Sequence, residues 1–284
     1  MLTIRVTGQK FMTQQKQKIN NSTVNNSYRL SVQVSLNGHS FLVTNPATSA
    51  ILFHKENIYN QSTTPEEVLD KIKTDIVVNE QLQNYIDEVV VIHENNLVTI
   101  VPEAFFDETK AVEYLKFNSK ILGSDFVAFD TITDYNKVVV YVPLVNVNNY
   151  FFEAYGSFQY FHSNTIVLKN ILEAEADSLN TKIYLDINQH YFSACIIKDG
   201  TLQLNNNFDY RTPEDFVYYV LFCFEQLQLN PDSVPTILSG SINENDANYA
   251  LLYGYVRNVS FYDIKSKHNT NDTTSHSNIA LFNS

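Results

Sequence analysis

The chain has 284 residues, of which 44% are hydrophobic and 13% are Tyr or Phe, with no Trp. This length and apolar share are typical of a globular protein with two cores of ordinary size, and they exclude a disordered chain. Nineteen basic residues against 31 acidic ones give a net charge of −12. Because an acidic protein repels both the phosphate backbone of nucleic acids and anionic membrane surfaces, neither is expected as a partner.

Secretion and membrane insertion are not expected either. The first residues, up to Lys18, lack the continuous run of about 7–15 apolar residues that a signal peptide needs. No stretch approaches the roughly 18 apolar residues of a membrane span. Cys195 and Cys223 lie in apolar runs typical of buried side chains, whereas a secreted chain of this length more often carries several paired cysteines. We therefore predict a cytoplasmic protein.

The first half of the chain follows a polar tail. Residues 1–27 are rich in Gln, Asn, Lys and Ser and are predicted to be disordered. The next segment alternates apolar and polar residues around Asn37-Gly38, a dipeptide typical of β-hairpin turns. Thr64 and Pro65 have the residue types of a helix N-cap and first helical position. The remaining predicted elements of a first domain at 28–150 are strands at 49–53, 87–93 and 138–142 and helices at 107–117 and 145–155.

The second half repeats this order, over residues 151–265. An alternating segment at 182–197 precedes Asp199-Gly200, a second predicted hairpin turn. Thr212 begins a long apolar helix in the same way as Thr64. The other predicted elements are strands at 157–161, 201–204, 235–238 and 259–262 and helices at 165–176 and 245–255. Residues 266–284 are polar and unpatterned, and are predicted to be a second disordered tail.

The two halves align with each other in sequence. Residues 30–43 align with residues 181–194 at an offset of 151, and Thr64-Pro65-Glu66 aligns with Thr212-Pro213-Glu214 at an offset of 148. A period this long is not that of a solenoid and predicts two whole domains of one topology. Identical residues align in the first segment at three positions, Asn37 with Asn188, His39 with His190 and Phe41 with Phe192.

A duplicated βββα unit that opens with a strand, a tight turn and a strand resembles the actin/Hsp70/sugar-kinase superfamily. Within it, the chain looks most like small bacterial actin-like proteins of the PilM type and like an uncharacterised bacterial family of the same fold. The resemblance covers roughly residues 28–265 and rests on element order and duplication. It implies an α/β fold of two tandem actin-like ATPase (ribonuclease H-like) domains with mixed five-stranded sheets. It also implies that ATP with magnesium binds between the domains.

The superfamily's nucleotide loops correspond to three turns of this chain. An acid in such a loop holds Mg²⁺, and a glycine lets backbone N–H groups approach the phosphates. The first turn has Ser35 in place of the acid and Asn37 in place of the glycine, whereas the second keeps the acid. The resemblance therefore implies a degenerate nucleotide cleft formed by Ser35, Asn37, Asp186, Asn188, Ser239 and Gly240, with no catalytic or metal-binding residue assigned.

Each of these residues also has a structural interpretation. Asp186 is then a polar residue at a strand end, and Ser239-Gly240 a strand-to-helix turn. Two functions stay open. The first is a non-catalytic scaffold or regulator that contacts an unidentified protein partner and needs no cofactor. The second is a divergent ATP-binding enzyme with magnesium. A thiolase-like acyl transferase is disfavoured, because Cys195 and Cys223 lie inside apolar segments and not at a helix N-terminus.

Overall fold

The structure is a computed structural model that describes residues 27–61, 63–83, 86–117, 119–263 and 276–284. The strands are β1 Arg29–Ser35, β2 Gly38–Asn45, β3 Ala50–Ile58, β4 Glu88–His93, β5 Val98–Pro102, β6 Ala128–Ile132, β7 Lys137–Tyr141, β8 Gln159–His162, β9 Lys182–Ile187, β10 Tyr191–Lys198, β11 Thr201–Asp209, β12 Thr236–Gly240 and β13 Val259–Phe261. The helices are α1 Pro65–Val78, α2 Ala111–Lys116, α3 Val145–Tyr155, α4 Ser163–Glu175, α5 Pro213–Gln226, α6 Ala247–Tyr255 and α7 Ile279–Phe282. None of the helices described here combines the length and the apolar character needed to cross a membrane.

Two mixed five-stranded sheets have the same strand order. The first runs β3-β2-β1-β4-β8 and the second β11-β10-β9-β12-β13. In the first sheet β1 pairs antiparallel with β2 and parallel with β4, and in the second β9 pairs antiparallel with β10 and parallel with β12. The predicted α/β fold with mixed five-stranded sheets is therefore confirmed.

The helix that follows each three-stranded meander begins with the same cap. The Thr64 hydroxyl accepts a hydrogen bond from the Glu67 N–H at 3.3 Å, and the Glu67 carboxylate accepts one from the Thr64 N–H at 3.0 Å. Thr212 and Asp215 form the same reciprocal pair at the start of α5. Because two of the otherwise unpaired N–H groups are satisfied locally, these helix starts could be predicted from sequence alone.

Helices cover one face of each sheet. In the first, Ile72 of α1 and Phe151 of α3 pack against the face of β1 that carries Val32. In the second, Phe216 of α5 and Leu252 of α6 pack in the same way against β9 and β12. The buried side of each central strand is thus the apolar side of its alternating pattern.

A small antiparallel sheet, in the order β5-β7-β6, is inserted between β4 and β8. The buried strand expected at 138–142 is the central strand of this small sheet, so it adds nothing to the first five-stranded sheet. Both sides of this central strand, β7, are covered, because Val138 and Val140 face α2 whereas Val139 and Tyr141 face α4. Coverage of both faces explains the unbroken apolar run.

The predicted domain boundary at residue 150 is wrong. The strand expected to open the second half, β8, pairs parallel with β4 and completes the first sheet. Phe161 is buried on that sheet, so the first unit extends to His162 and α4 connects it to the second. The repeat alignment could not place this boundary, because it matched only the opening strands and helix of each half.

The first hairpin turn differs by one residue from its prediction. Leu36 and Asn37 are the turn residues, and Gly38 is already the first residue of β2. A Cβ atom at Gly38 would lie 2.6 Å from the carbonyl oxygen of Asn57 in β3, so glycine is needed for strand approach. In the second half Asp199 and Gly200 both have positive φ, as the predicted tight turn requires.

The prediction of a disordered C-terminal tail is wrong for residues 276–284. The helix α7 buries all four of its side chains against α4, β1 and β2. Beyond it, the Ser284 hydroxyl donates to Ser31 Oγ at 2.6 Å, and the Arg29 guanidinium donates to the Ser284 carbonyl at 3.0 Å. The apolar residues 279–282 supply the driving force, although four residues are too few to show a period in the sequence. Of the N-terminal tail predicted at 1–27, only Ser27 lies within the described residues.

We expect α7 to contribute to global stability. Leu281 is fully buried, so Leu281→Ala should lower the free energy of unfolding by roughly 2–5 kcal/mol, measured by urea denaturation. Leu179→Ala is the matched control, since that leucine is 85% exposed and should change the free energy by less than about 0.5 kcal/mol. Equal stabilities for the two variants would show that α7 does not belong to the core.

Candidate functional site

A cleft of about 500 Å³ lies between the two five-stranded sheets. Its walls come from the carboxyl ends of the parallel-paired central strands, β1 and β4 on one side and β9 and β12 on the other. This is the edge at which open α/β sheets bind ligands. The cleft is therefore the first candidate for a functional site.

The structure brings five of the six sequence-predicted residues to the wall of this cleft. Ser35 and Asn37 lie at the end of β1, and Asp186 and Asn188 at the end of β9. Gly240 ends β12 and also lines the cleft. The side chain of Ser239 is buried behind the wall, where its hydroxyl donates to Asp186 Oδ1 at 2.7 Å. Their identity as nucleotide ligands stays a prediction.

Gly240 has a structural requirement of its own. Its φ is +82°, and a Cβ atom there would lie 2.2 Å from the carbonyl oxygen of Ile187 in the neighbouring strand. Both the left-handed conformation and the close strand approach demand glycine at this position. The glycine is thus explained without any ligand.

Sequence reasoning missed Glu94, a cleft residue at the end of β4. Its carboxylate accepts a hydrogen bond from Gln33 Nε2 at 2.9 Å and another from the Asn188 side chain across the cleft. The available signal was its place directly after a buried β-branched strand, which had been predicted. Polar residues that follow parallel strands meet at one edge of a sheet.

Glu94 and Asp186 bring negative charge to the wall of the cleft, where both residues are half-buried. Burial, followed by the charge of Asp186, raises the pKa of Glu94 to about 7. Burial also raises the pKa of Asp186, against the hydrogen bond from Ser239. Neither carboxylate forms an ion pair with a Lys or Arg among the described residues of the cleft wall. Their charge is therefore uncompensated by the protein.

Backbone amides around the cleft are committed to intramolecular acceptors. The Asn37 N–H donates to Ser35 Oγ at 3.2 Å and the Asn188 N–H to the Tyr191 carbonyl at 2.8 Å. The Gly240 N–H donates to the carbonyl of His276 at 2.9 Å. A phosphate cradle needs such N–H groups to point at the ligand. At these three positions they do not.

The C-terminal segment forms part of the cleft wall. His276 contributes the carbonyl that occupies the Gly240 amide, and its ring Nε2 lies 2.6 Å from the Ile242 carbonyl. Asn278 donates to Glu56 Oε1 at 2.7 Å, which connects the segment to β3 of the first sheet. The segment therefore bridges both sides of the cleft.

The described cleft residues offer few groups that could bind magnesium and ATP. Within the described parts of the chain, no three His, Cys, Asp or Glu side chains converge to hold a metal ion. No Lys or Arg occurs among the described cleft residues to neutralise phosphates, and Glu56, Glu94, Asp186 and Asp246 all line it. Bringing phosphate charge beside these carboxylates costs Coulomb energy that the site does not offset.

The two histidines that align in the repeat differ in their surroundings, and both cysteines lie in the core. His39 is buried and lies 2.8 Å from Asp75 Oδ2, whereas His190 is exposed. Cys195 and Cys223 are both buried, which raises their pKa values to about 12 and about 11. A thiol with a raised pKa is a poor nucleophile at neutral pH.

The raised pKa of Glu94 predicts a pH-dependent stability difference. Between about pH 4.5 and pH 7 the unfolded state ionises Glu94 before the folded state does, so raising the pH destabilises the fold. Relative to wild type, Glu94→Gln should therefore gain stability across this interval, by up to roughly 3 kcal/mol. Urea denaturation at pH 5 and pH 8 measures it.

The exposed Glu153→Gln variant controls for the loss of one surface charge in this experiment. An advantage of Glu94→Gln that is equal at both pH values would contradict the assigned burial of the carboxylate.

Solved structures resemble the chain over nearly its full length. A Bacteroides thetaiotaomicron protein with actin-like ATPase fold and unknown function superposes with a TM-score of 0.75 at 19% identity, covering 92% of this chain and 97% of that one. A chain of a PilM–PilN type IV pilus biogenesis complex superposes with a TM-score of 0.59 at 10% identity, covering 91% and 97%. These likenesses show the actin-like ATPase fold, as the resemblance implied.

Comparison at the level of sequence identifies a family but no curated relative. No curated protein matches the chain. One family model, described as "Protein of unknown function (DUF3822)", matches residues 15–259. Since this match covers most of the sequence, the chain belongs to the DUF3822 family.

Proposed function

We propose that this protein is a non-catalytic actin-like module, a scaffold or regulator that acts through protein contacts. The observation that carries the proposal is the commitment of the cleft amides at Asn37, Asn188 and Gly240 to internal acceptors. Phosphoryl transfer depends on donors and cations positioned around the γ-phosphate. At this cleft those three amides are engaged, and no Lys or Arg lies among the described lining residues.

Exposed apolar side chains support the protein-contact part of this proposal. Phe105 and Phe117, on the segment between β5 and β6, are 76% and 87% exposed. Contiguous exposed apolar patches often mark interaction surfaces, and both rings belong to this one segment of the chain. The PilM–PilN complex supports it by analogy, as a protein of this fold within a protein complex.

The proposal includes a tandem duplication and a cytosolic location. Duplication is supported by the shared strand order, by the matched caps at Thr64 and Thr212, and by the sequence offset between the halves. A reducing compartment is supported by Cys195 and Cys223, which are both unpaired in the described structure.

A divergent ATP-binding enzyme is the second candidate. It is favoured by one observation, the presence of two carboxylates, Glu94 and Asp186, on opposite sides of a cleft at the expected edge of the sheets. In such an enzyme these side chains would hold magnesium, with the ligand's own phosphates completing the coordination. The engagement of the cleft amides and the lack of Lys and Arg among the described cleft residues weigh against this enzyme.

We expect purified protein with magnesium and ATP to release phosphate at the background rate. Losing one positioned donor commonly costs about a hundredfold in rate, and several are missing here. A malachite-green assay of wild type and Asp186→Ala should give the same slope. Turnover on the order of 1 s⁻¹ that disappears in Asp186→Ala would overturn the proposal in favour of the enzyme.

Nucleotide binding without turnover is measured separately. A ligand present at about 100 times its dissociation constant stabilises a protein by about 2.7 kcal/mol, which a thermal-shift assay detects. We expect magnesium and ATP to produce no shift.

The contact role is testable by site-specific crosslinking in cells. A photoreactive amino acid in place of Phe117 should give a discrete crosslinked product, because this ring is exposed at the proposed surface. The same amino acid in place of Glu153, which is exposed on α3, is the control. Identical products at both positions, or none at either, would contradict a specific contact at the β5–β6 segment.

A further inference from the structure

The cleft wall is rich in hydrogen-bond acceptors. Glu94 and Asp186 bring carboxylates to it from the two sheets, and Glu56 adds a third from β3. Burial and the charges of Asp186 and Glu56 raise the pKa of Glu94, whereas hydrogen bonds from Gln33 and Asn188 lower it. The wall thus holds more negative charge than its own donors stabilise.

An acceptor without a partner lies beside these carboxylates. Gln33 lines the cleft, is only 7% exposed, and donates through Nε2 to Glu94. Its Oε1 is buried and has no hydrogen-bond partner among the described residues. Leaving such an atom unsatisfied destabilises the folded state, so unpaired buried acceptors are rare in folded proteins. Gln33 Oε1 can therefore accept a hydrogen bond from a donor that the described residues do not supply.

A cation that carries several N–H donors matches these acceptors. An anion would meet the carboxylates, and a bare metal ion would find no group of three converging His, Cys, Asp or Glu ligands among the described residues. An ammonium or guanidinium group has no acceptor and directs three to five N–H groups outward, so one such group can donate to several acceptors at once.

We propose that this cleft binds an organic cation, an alkylammonium or guanidinium group, through Glu94, Asp186 and the free carbonyl oxygen of Gln33. This inference goes beyond the scaffold function and does not depend on it. A cleft of about 500 Å³ accommodates a whole small ligand. The cation comes either from a free polyamine or from a basic side chain of a protein partner, since both present the same chemistry.

Isothermal titration calorimetry with spermidine and, separately, with N-acetyl-arginine amide tests the proposal on the full chain at constant ionic strength. We expect saturable binding with one site per chain. Glu94→Gln should weaken it at least tenfold, because it removes the charge at the centre of the site. Gln33→Met should weaken it several-fold, because it removes the free carbonyl oxygen while keeping the side-chain length.

Glu153→Gln is the matched control, since it removes the same charge from an exposed site on α3. It should bind within twofold of wild type. If thermal unfolding shows that Glu94→Gln does not fold, the binding measured for Gln33→Met tests the proposal. Tighter binding of spermidine supports a free polyamine, and tighter binding of the arginine derivative supports a partner's side chain.

Three results would overturn the proposal. One is the absence of saturable binding by either probe. A second is equal weakening in Glu94→Gln and Glu153→Gln, which would reflect only the net charge of −12. The third is a Glu94-dependent heat of binding with magnesium chloride and none with spermidine, which would assign the cleft to a metal ion.

Discussion

The burial of α4 is the constraint on which the rest of the structure depends. Eight of its 13 residues are buried, an unusual fraction for a helix that connects two units. Ile166 packs toward the first sheet and α7, whereas Leu172 packs between the small sheet and the second sheet. A helix in contact with three sheets cannot move against one without losing apolar burial to another. It therefore holds the two five-stranded sheets in one relative position.

Polar contacts at both ends of α4 reinforce this position. At its start, Asp130 of the small sheet accepts hydrogen bonds from the Tyr141 hydroxyl, the His162 N–H and the Thr165 hydroxyl. Near its end, Glu175 accepts from Lys182 and Tyr184 of β9, both at 2.7 Å. Such donors offset the cost of burying a carboxylate. The cleft, by contrast, provides no Lys or Arg donor for Glu94 and Asp186 among its described residues.

The strand arrangement and the chemistry of the cleft are therefore distinct features of this protein. The actin-like arrangement of strands is kept, together with the edge at which proteins of such open sheets bind ligands. The cleft differs from a phosphate-binding site in its local hydrogen bonding and charge. The amides at Asn37 and Gly240 are satisfied internally, and the walls are acidic. A fold supplies a cleft, but the groups that face the cleft decide what it binds. Here those groups favour a cationic donor over a phosphate.

The sequence by itself determined what depends on neighbouring residues. The caps at Thr64 and Thr212, the alternating strands and the Asp199-Gly200 turn all follow from local hydrogen bonding, side-chain period and backbone φ. Five of the six residues named from the resemblance line the cleft, because they follow strands whose order it implied. Only the tertiary structure decided that β8 completes the first sheet, that α7 is buried, and that Glu94 faces Asp186. These depend on pairings between distant segments, and a short strand, a four-residue helix or a single acid carries too little pattern to specify its partner.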